Sequence, residues 1–145
     1  MKLLVDKGAN VNAADAQGRS VLHVAAGSGN ADYVKLLLAK NVRVNVRERG
    51  NAMMPLHIAC MRGDVKSAYY LIRAGAEIDS TDASRRTAMH WAAQNGHGRV
   101  VRLLIAAGAS SVVRDNEGHT PEDVARLNVN DDIASIIRYR RARPR

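Results

Sequence analysis

The chain has 145 residues, enough for one domain with a substantial core, and 46% hydrophobic content is too high for a disordered chain despite a net charge of +8. No apolar run approaches the ~18 residues of a membrane span, no charged-then-apolar leader precedes a cleavage-like site, and Cys60, the single cysteine, has no partner for an internal disulfide. These features favour a reducing, intracellular compartment, cytoplasmic or nuclear, and zero Phe with one Trp leaves the core to Ala, Val, Leu and Ile.

Taken in chain order, one pattern keeps returning. Residues 1–14, "MKLLVDKGANVN" and the two that follow, hold an apolar helix (Leu3, Leu4, Val5) and a Gly8-Ala9 turn. Residues 15–47 begin with a polar, turn-rich link and Ser20, whose hydroxyl suits a helix N-cap. A short Ala-rich helix then runs to Gly29, and a second helix with Val34, Leu37 and Leu38 on one face ends at Asn41-Val42. Residues 48–81 repeat this with Pro55 at the helix start, Gly63 between the helices, Ala68-Leu71-Ile72, and Gly75-Ala76. Residues 82–114 repeat it with the cap Thr87, Gly96, Val101-Leu104-Ile105, and Gly108-Ala109. Residues 115–137 open with "TPED", a capping box in which Thr120 is answered by Asp123, and close on "DDIASIIRYRRA". Acids at a helix start and cations at its end mark this unit as a C-terminal cap.

Several columns share the period. His23, His57 and His90 recur at spacings of 34 and 33 residues, and Gly29, Gly63 and Gly96 recur at the same spacings. A period near 33 in independent columns signals a stacked repeat fold. A histidine that returns once per unit has a repeating structural task, so "RRTAMHWAAQNGH" is read as scaffold. His97 follows a helix-ending glycine, and no Cys, His and Asp set has metal-ligand spacing; no metal or other cofactor is expected.

"SVLHVAAGSGNADYVKLLLAKN", "MPLHIACMRGDVKSAYYLIRAGA", "TAMHWAAQNGHGRVVRLLIAAGA" and "GHTPEDVA" resemble the ankyrin repeat, with its threonine-proline-leucine-histidine opening, central Gly and closing Gly-Ala. The resemblance covers nearly the whole chain. It implies an all-α solenoid of stacked helix-turn-helix units with projecting β-hairpin fingers. The histidines then hydrogen-bond near the helix start, 1–14 is a partial repeat, and binding falls to the finger tips and exposed inner-helix positions. Carried across residue by residue, these are Ala16, Gln17 and Arg19 in the first finger and Arg49 and Met53 in the second. The third finger supplies Ala83, Ser84, Arg85 and Arg86, and the last Asn116, Glu117 and His119. The inner helices supply Ser28, Met61, Arg62, Gln94 and Asn95, flanked by Trp91. The resemblance also implies asparagine hydroxylation as a possibility at Asn12 and Asn45, eight residues after Leu4 and Leu37.

Three departures stand out. The second finger carries one extra residue, since Asn45 to Met54 spans nine positions where Asn12 to Ser20 spans eight. Arg85 stands where Gly18 and Gly118 stand, so either the turn changes shape or the arginine is kept for a contact. The N-terminal unit lacks its first helix, which points to a longer array or a self-associating edge on an otherwise monomeric chain.

The function expected is non-enzymatic protein binding, as a scaffold or adaptor. Cys60 falls on a small, buried column where a thiol is inert, and no phosphate loop or nucleophile elbow is present. The finger arginines, with methionine and tryptophan beside them, suit an acidic peptide or protein surface. A second reading concerns the tail. Residues 138–145 hold five arginines, leaving 17 basic against 14 acidic groups before them, and such a tail suits phosphates or nuclear import. A third is that the chain is a regulatory segment of a larger enzyme, channel or assembly chaperone. Thr87 after two arginines also has the look of a kinase site, set against a capping role that buries its hydroxyl.

Overall fold

The structure, a computed structural model, describes residues 13–142. Among them lie eight α-helices in four pairs: α1 Val21–Ser28 with α2 Ala31–Leu38, α3 Pro55–Arg62 with α4 Val65–Arg73, α5 Ala88–Gln94 with α6 Gly98–Ala106, and α7 Pro121–Leu127 with α8 Asp131–Ala142. Short links make each pair antiparallel. The expected N-terminal helix, with Leu3, Leu4, Val5 and Asn12, lies outside the described residues, as do residues 143–145. Helix α8 runs without a break through Arg138 to Ala142, so the first part of the arginine-rich segment is helical.

None of these helices is long enough to be stable alone, so stacking must hold them. The inner helices α1, α3, α5 and α7 meet through Ala25, Ala26, Ala59, Cys60, Ala92, Ala93 and Ala125, all fully buried. Small side chains let the helix axes approach closely. The outer helices add Val34, Leu37, Ala68, Leu71, Val101, Leu104 and Ile137, also fully buried. From α4 onward, neighbouring outer helices pack less tightly than their inner counterparts, so that part of the stack bends toward the inner side. Fingers and inner helices therefore share the concave face.

Each inner helix starts on an extended N-cap residue: Ser20, Met54, Thr87 and Thr120. Ser20, Thr87 and Thr120 accept the backbone N–H of the residue three further on; Met54 has no oxygen to offer. Thr87 is 1% exposed, which puts its hydroxyl out of reach of a kinase. Two residues before each cap the backbone is left-handed, at Gly18 (φ 77°), Ala52 (φ 56°), Arg85 (φ 61°) and Gly118 (φ 83°). The Arg85 turn thus keeps its neighbours' shape, with a side chain where glycine is preferred, at a cost of ~1–2 kcal/mol.

Among the described residues the fingers form no extended strands, only an isolated antiparallel bridge between Ala14 and Ser20. What aligns them is one main-chain hydrogen bond at each junction. Arg49 donates its backbone N–H to the Gln17 carbonyl (2.7 Å), Ala83 to Asn51 (2.8 Å), and Asn116 to Ser84 (3.0 Å).

Candidate protein-binding face

The repeating histidines are fastened at both ring nitrogens. His23, His57 and His90 each accept the N-cap backbone N–H at Nδ1, at 3.0, 2.9 and 3.0 Å. Their Nε2 atoms face carbonyl oxygens further along the chain, in the link or finger that follows: Met53 for His23 (2.7 Å), Ser80 for His57 (2.9 Å) and His119 for His90 (2.9 Å). A carbonyl only accepts, so each ring is the neutral tautomer with its proton on Nε2. Burial holds all three below the usual histidine range, against the contrary pull of those carbonyls. The histidines tie one inner helix to the following finger.

A second column escaped the sequence reading. Asp15, Asp82 and Asp115 each turn a carboxylate back into their finger, accepting the backbone N–H groups two and four residues on at 2.9–3.0 Å. In the second finger Glu48 does this work, accepting from Gly50, Asn51 and Met53. The inserted residue widens the loop, and the glutamate is one methylene longer. Backbone N–H donation from Arg19 holds the Asp15 carboxyl below its usual range. For Glu48 and Asp115 burial pushes upward, but the finger N–H groups (with Arg86 at Asp115) prevail and both are lowered.

The expected binding residues divide into two groups. Met53, expected on the partner face, is 7% exposed and serves through its carbonyl, so its side chain is not free for a partner. Arg86 was expected to reach solvent, yet it is held inside. Its Nε meets Asp115 Oδ2 (3.2 Å), one terminal nitrogen meets Gln94 Oε1, and its guanidinium lies 4.9 Å from the Trp91 ring centre. Trp91 donates Nε1–H to Asp82 Oδ2 at 2.8 Å. Arg86, Trp91 and Gln94 therefore close the inner face between the third and fourth units. Asn95 and His97 both donate to the Met61 carbonyl at 2.9 Å, joining successive units.

The other group stays open. Arg19, Arg49, Arg62 and Arg85 are exposed, and Met61 and His119 are partly so. Arg19 pairs with Asp15 at 2.9 Å on the surface. Between the first two units lies a groove of about 540 Å³ with Val24, Gly27, Ile58 and Met61 among its walls and Arg19 and Glu48 at its finger end. Arg62 follows Met61, its guanidinium lying beside Gly29 at the end of α1.

Other candidate groups are bonded or buried within the fold. Asp115, Glu117 and His119 bring three ligand-type atoms within 4.8 Å of one another, but both Asp115 oxygens already accept N–H groups. Cys60 is fully buried, which pushes its thiol far up. Asn45 donates to the Gly75 carbonyl (3.2 Å) and accepts from the Glu77 N–H (2.9 Å), stapling two units. Arg47 spans the second and third fingers, bonding Ser80 Oγ (2.7 Å) and the Thr81 carbonyl, a role that its position in a polar link did not announce. No helix among the described residues is long and apolar enough to cross a membrane.

Known proteins share this repeat in sequence. A family model described as ankyrin repeats (3 copies) matches residues 56–144, and one described as ankyrin repeats (many copies) matches 1–38 and 22–72. Dog inversin is 36% identical over 121 residues, covering 81% of this chain and 11% of inversin. The Caenorhabditis elegans homolog of transient receptor potential cation channel subfamily A member 1 is 35% identical (83% of this chain, 10% of the channel). Human rabankyrin-5 is 33% identical (75% and 12%). The chain thus spans about a tenth of the length of these relatives. Ankyrin repeats generally serve as non-catalytic protein–protein interaction modules. The histidine column, the fingers and the paired helices are that family's pattern, and the chain belongs to the ankyrin repeat family.

Proposed function

We propose that this chain is a non-enzymatic binding module, a scaffold or adaptor segment, that takes an acidic peptide or protein surface on the concave side of its first two units. One observation carries the reading. Arg49 and Arg62 are exposed and have no ion pair among the described residues, and each directly follows a residue that lines the groove, Glu48 and Met61. Guanidinium forks favour carboxylates, while Val24, Ile58 and Met61 offer contact to an aliphatic side chain. The third and fourth units contribute less, because Arg86 already has a carboxylate of its own. Arg85 and His119 extend the face as secondary contacts. A reducing intracellular compartment, cytoplasmic or nuclear, suits the lone buried thiol.

A displayed library of acidic, Leu-containing peptides tests this. Arg49→Glu with Arg62→Glu should abolish capture and leave the melting curve in place, because both side chains are exposed. Capture unchanged by the double substitution would refute the reading. Arg86→Glu is the wrong probe, since it would leave Asp115 buried without its cation.

A further inference from the structure

The face opposite the groove has a charge pattern of its own. Helices α4, "VKSAYYLIR", and α6, "GRVVRLLIA", contain no acidic residue. Lys66, Arg73, Arg99 and Arg102 are exposed on them and form no ion pair among the described residues. Lys66, Tyr69 and Arg73 share one side of α4, and Arg99 and Arg102 share one side of α6. The repeat sets them in register. Lys66 and Arg99 occupy one column, with Asp32 before and Asp132 after. Lys35, Tyr69 and Arg102 occupy the next, followed by Ser135. Exposed cations thus crowd the middle of the outer side, with Asp32 and Asp132 at its two ends. Tyr69 sits among the cations 46% exposed, tilted against Tyr70 at 5.9 Å, with the Lys35 ammonium 5.7 Å from the Tyr70 ring centre.

We propose that this outer face of α2, α4 and α6 docks on an anionic lipid bilayer, leaving the concave groove pointing away from the membrane. The placement favours a broad partner: Lys66, Arg73, Arg99 and Arg102 are exposed together on two neighbouring outer helices, as a patch and not a cleft. An amphipathic phenol among cations suits the headgroup layer. A nucleic-acid strand fits less well. The groove beside Arg99 and Arg102 has Asp131 and Asp132 on its other side, so a phosphate chain laid there would meet two carboxylates. Attraction to anionic headgroups is additive per cation near the surface and weakens with salt.

Co-sedimentation of the 145-residue chain with phosphatidylcholine vesicles, with and without a third of phosphatidylserine, tests the proposal. Binding should require phosphatidylserine and fall steeply with salt. Each neutralised cation should lower partitioning about fivefold, so Lys66→Gln, Arg99→Gln and Arg102→Gln together should lower it about a hundredfold. Glutamine is a good helix former, and an unchanged melting curve confirms that the triple variant folds. A second variant, with Arg140, Arg141, Arg143 and Arg145 changed to Gln, should keep at least part of the binding and its dependence on the outer face. Equal binding to neutral vesicles, no loss in the triple variant, or loss of all binding in the tail variant would overturn the proposal. So would tighter binding to a single-stranded oligonucleotide than to vesicles at equal phosphate. The peptide capture described above is a separate readout, which the triple variant should leave intact.

Discussion

Val129 holds the left-handed position that Gly29, Gly63 and Gly96 hold in the earlier units, at φ 59° and 81% exposed. A β-branched residue there is strained and gains little from burial. Val129→Gly should therefore stabilise the fold by about 1 kcal/mol, read as a higher denaturant midpoint at constant slope. The histidines act in the opposite direction in acid. Unfolded, each takes up a proton near pH 6.5; folded, burial depresses that affinity. Protons then favour the unfolded chain, so stability should be level above neutrality and decline as pH drops below 6.5. The finger carboxylates Asp15, Glu48 and Asp115, with lowered pKa values, add a separate loss that begins only as pH falls through the ordinary carboxylate range. Urea midpoints taken from pH 8 downward should show the histidine decline first; a flat profile between pH 7 and 5 would show that the rings accept protons without releasing their fingers.

Helix ends show how one unit seats on the next. A Cβ on Gly63 would lie 2.5 Å from the His97 ring, whereas on Gly29 it would meet only the Arg62 guanidinium at 3.6 Å. Both glycines have φ 77°, so alanine costs each about 1–2 kcal/mol of backbone strain. Gly63→Ala should cost more, by about 1 kcal/mol, because the imidazole must leave the Met61 carbonyl. In a double-mutant cycle with His97→Ala that surplus should vanish; strict additivity would mean that the ring moves aside freely. The element itself was readable from spacing, because a glycine after each Ala-rich run marks a helix stop. The stacked imidazole was not. Nothing local in "NGHG" says that its ring reaches back 36 residues to a carbonyl.

At the scale of the molecule, each unit touches chiefly its neighbours, so damage should remain local. Arg86→Met removes the cation from Asp115, a carboxylate whose side chain is 2% exposed, while Arg86 itself is 15% exposed. The expected cost is about 2–3 kcal/mol, somewhat below that of breaking a fully buried pair. Hydrogen exchange should quicken in α7 and α8 and stay near its original rate in α1 and α2. Uniform quickening would show one cooperative block instead. The period exposed the stack, the caps and the repeating character of His23, His57 and His90, because those depend on identity at fixed intervals; the tie from each ring to a later carbonyl came only with the geometry. The face was only half legible. Arg62 and Arg86 look alike in a string of letters, and only the geometry shows that Arg86 already grips Asp115, Gln94 and Trp91. Likewise the insertion hid Glu48, which answers the three aspartates one position out of step.

The main-chain rungs between fingers join Gln17 with Arg49, Asn51 with Ala83 and Ser84 with Asn116, with side-chain bonds from Arg47 and Asn116 beside them. Amide and carbonyl are the same whatever residue carries them, and most of the side chains at these tips point into water. Gln17, Arg49, Asn51, Ala83 and Ser84 can therefore drift over generations, or be rewritten by an engineer, and the main-chain rungs they carry stay available. Recognition can change quickly on a frame that does not have to change with it.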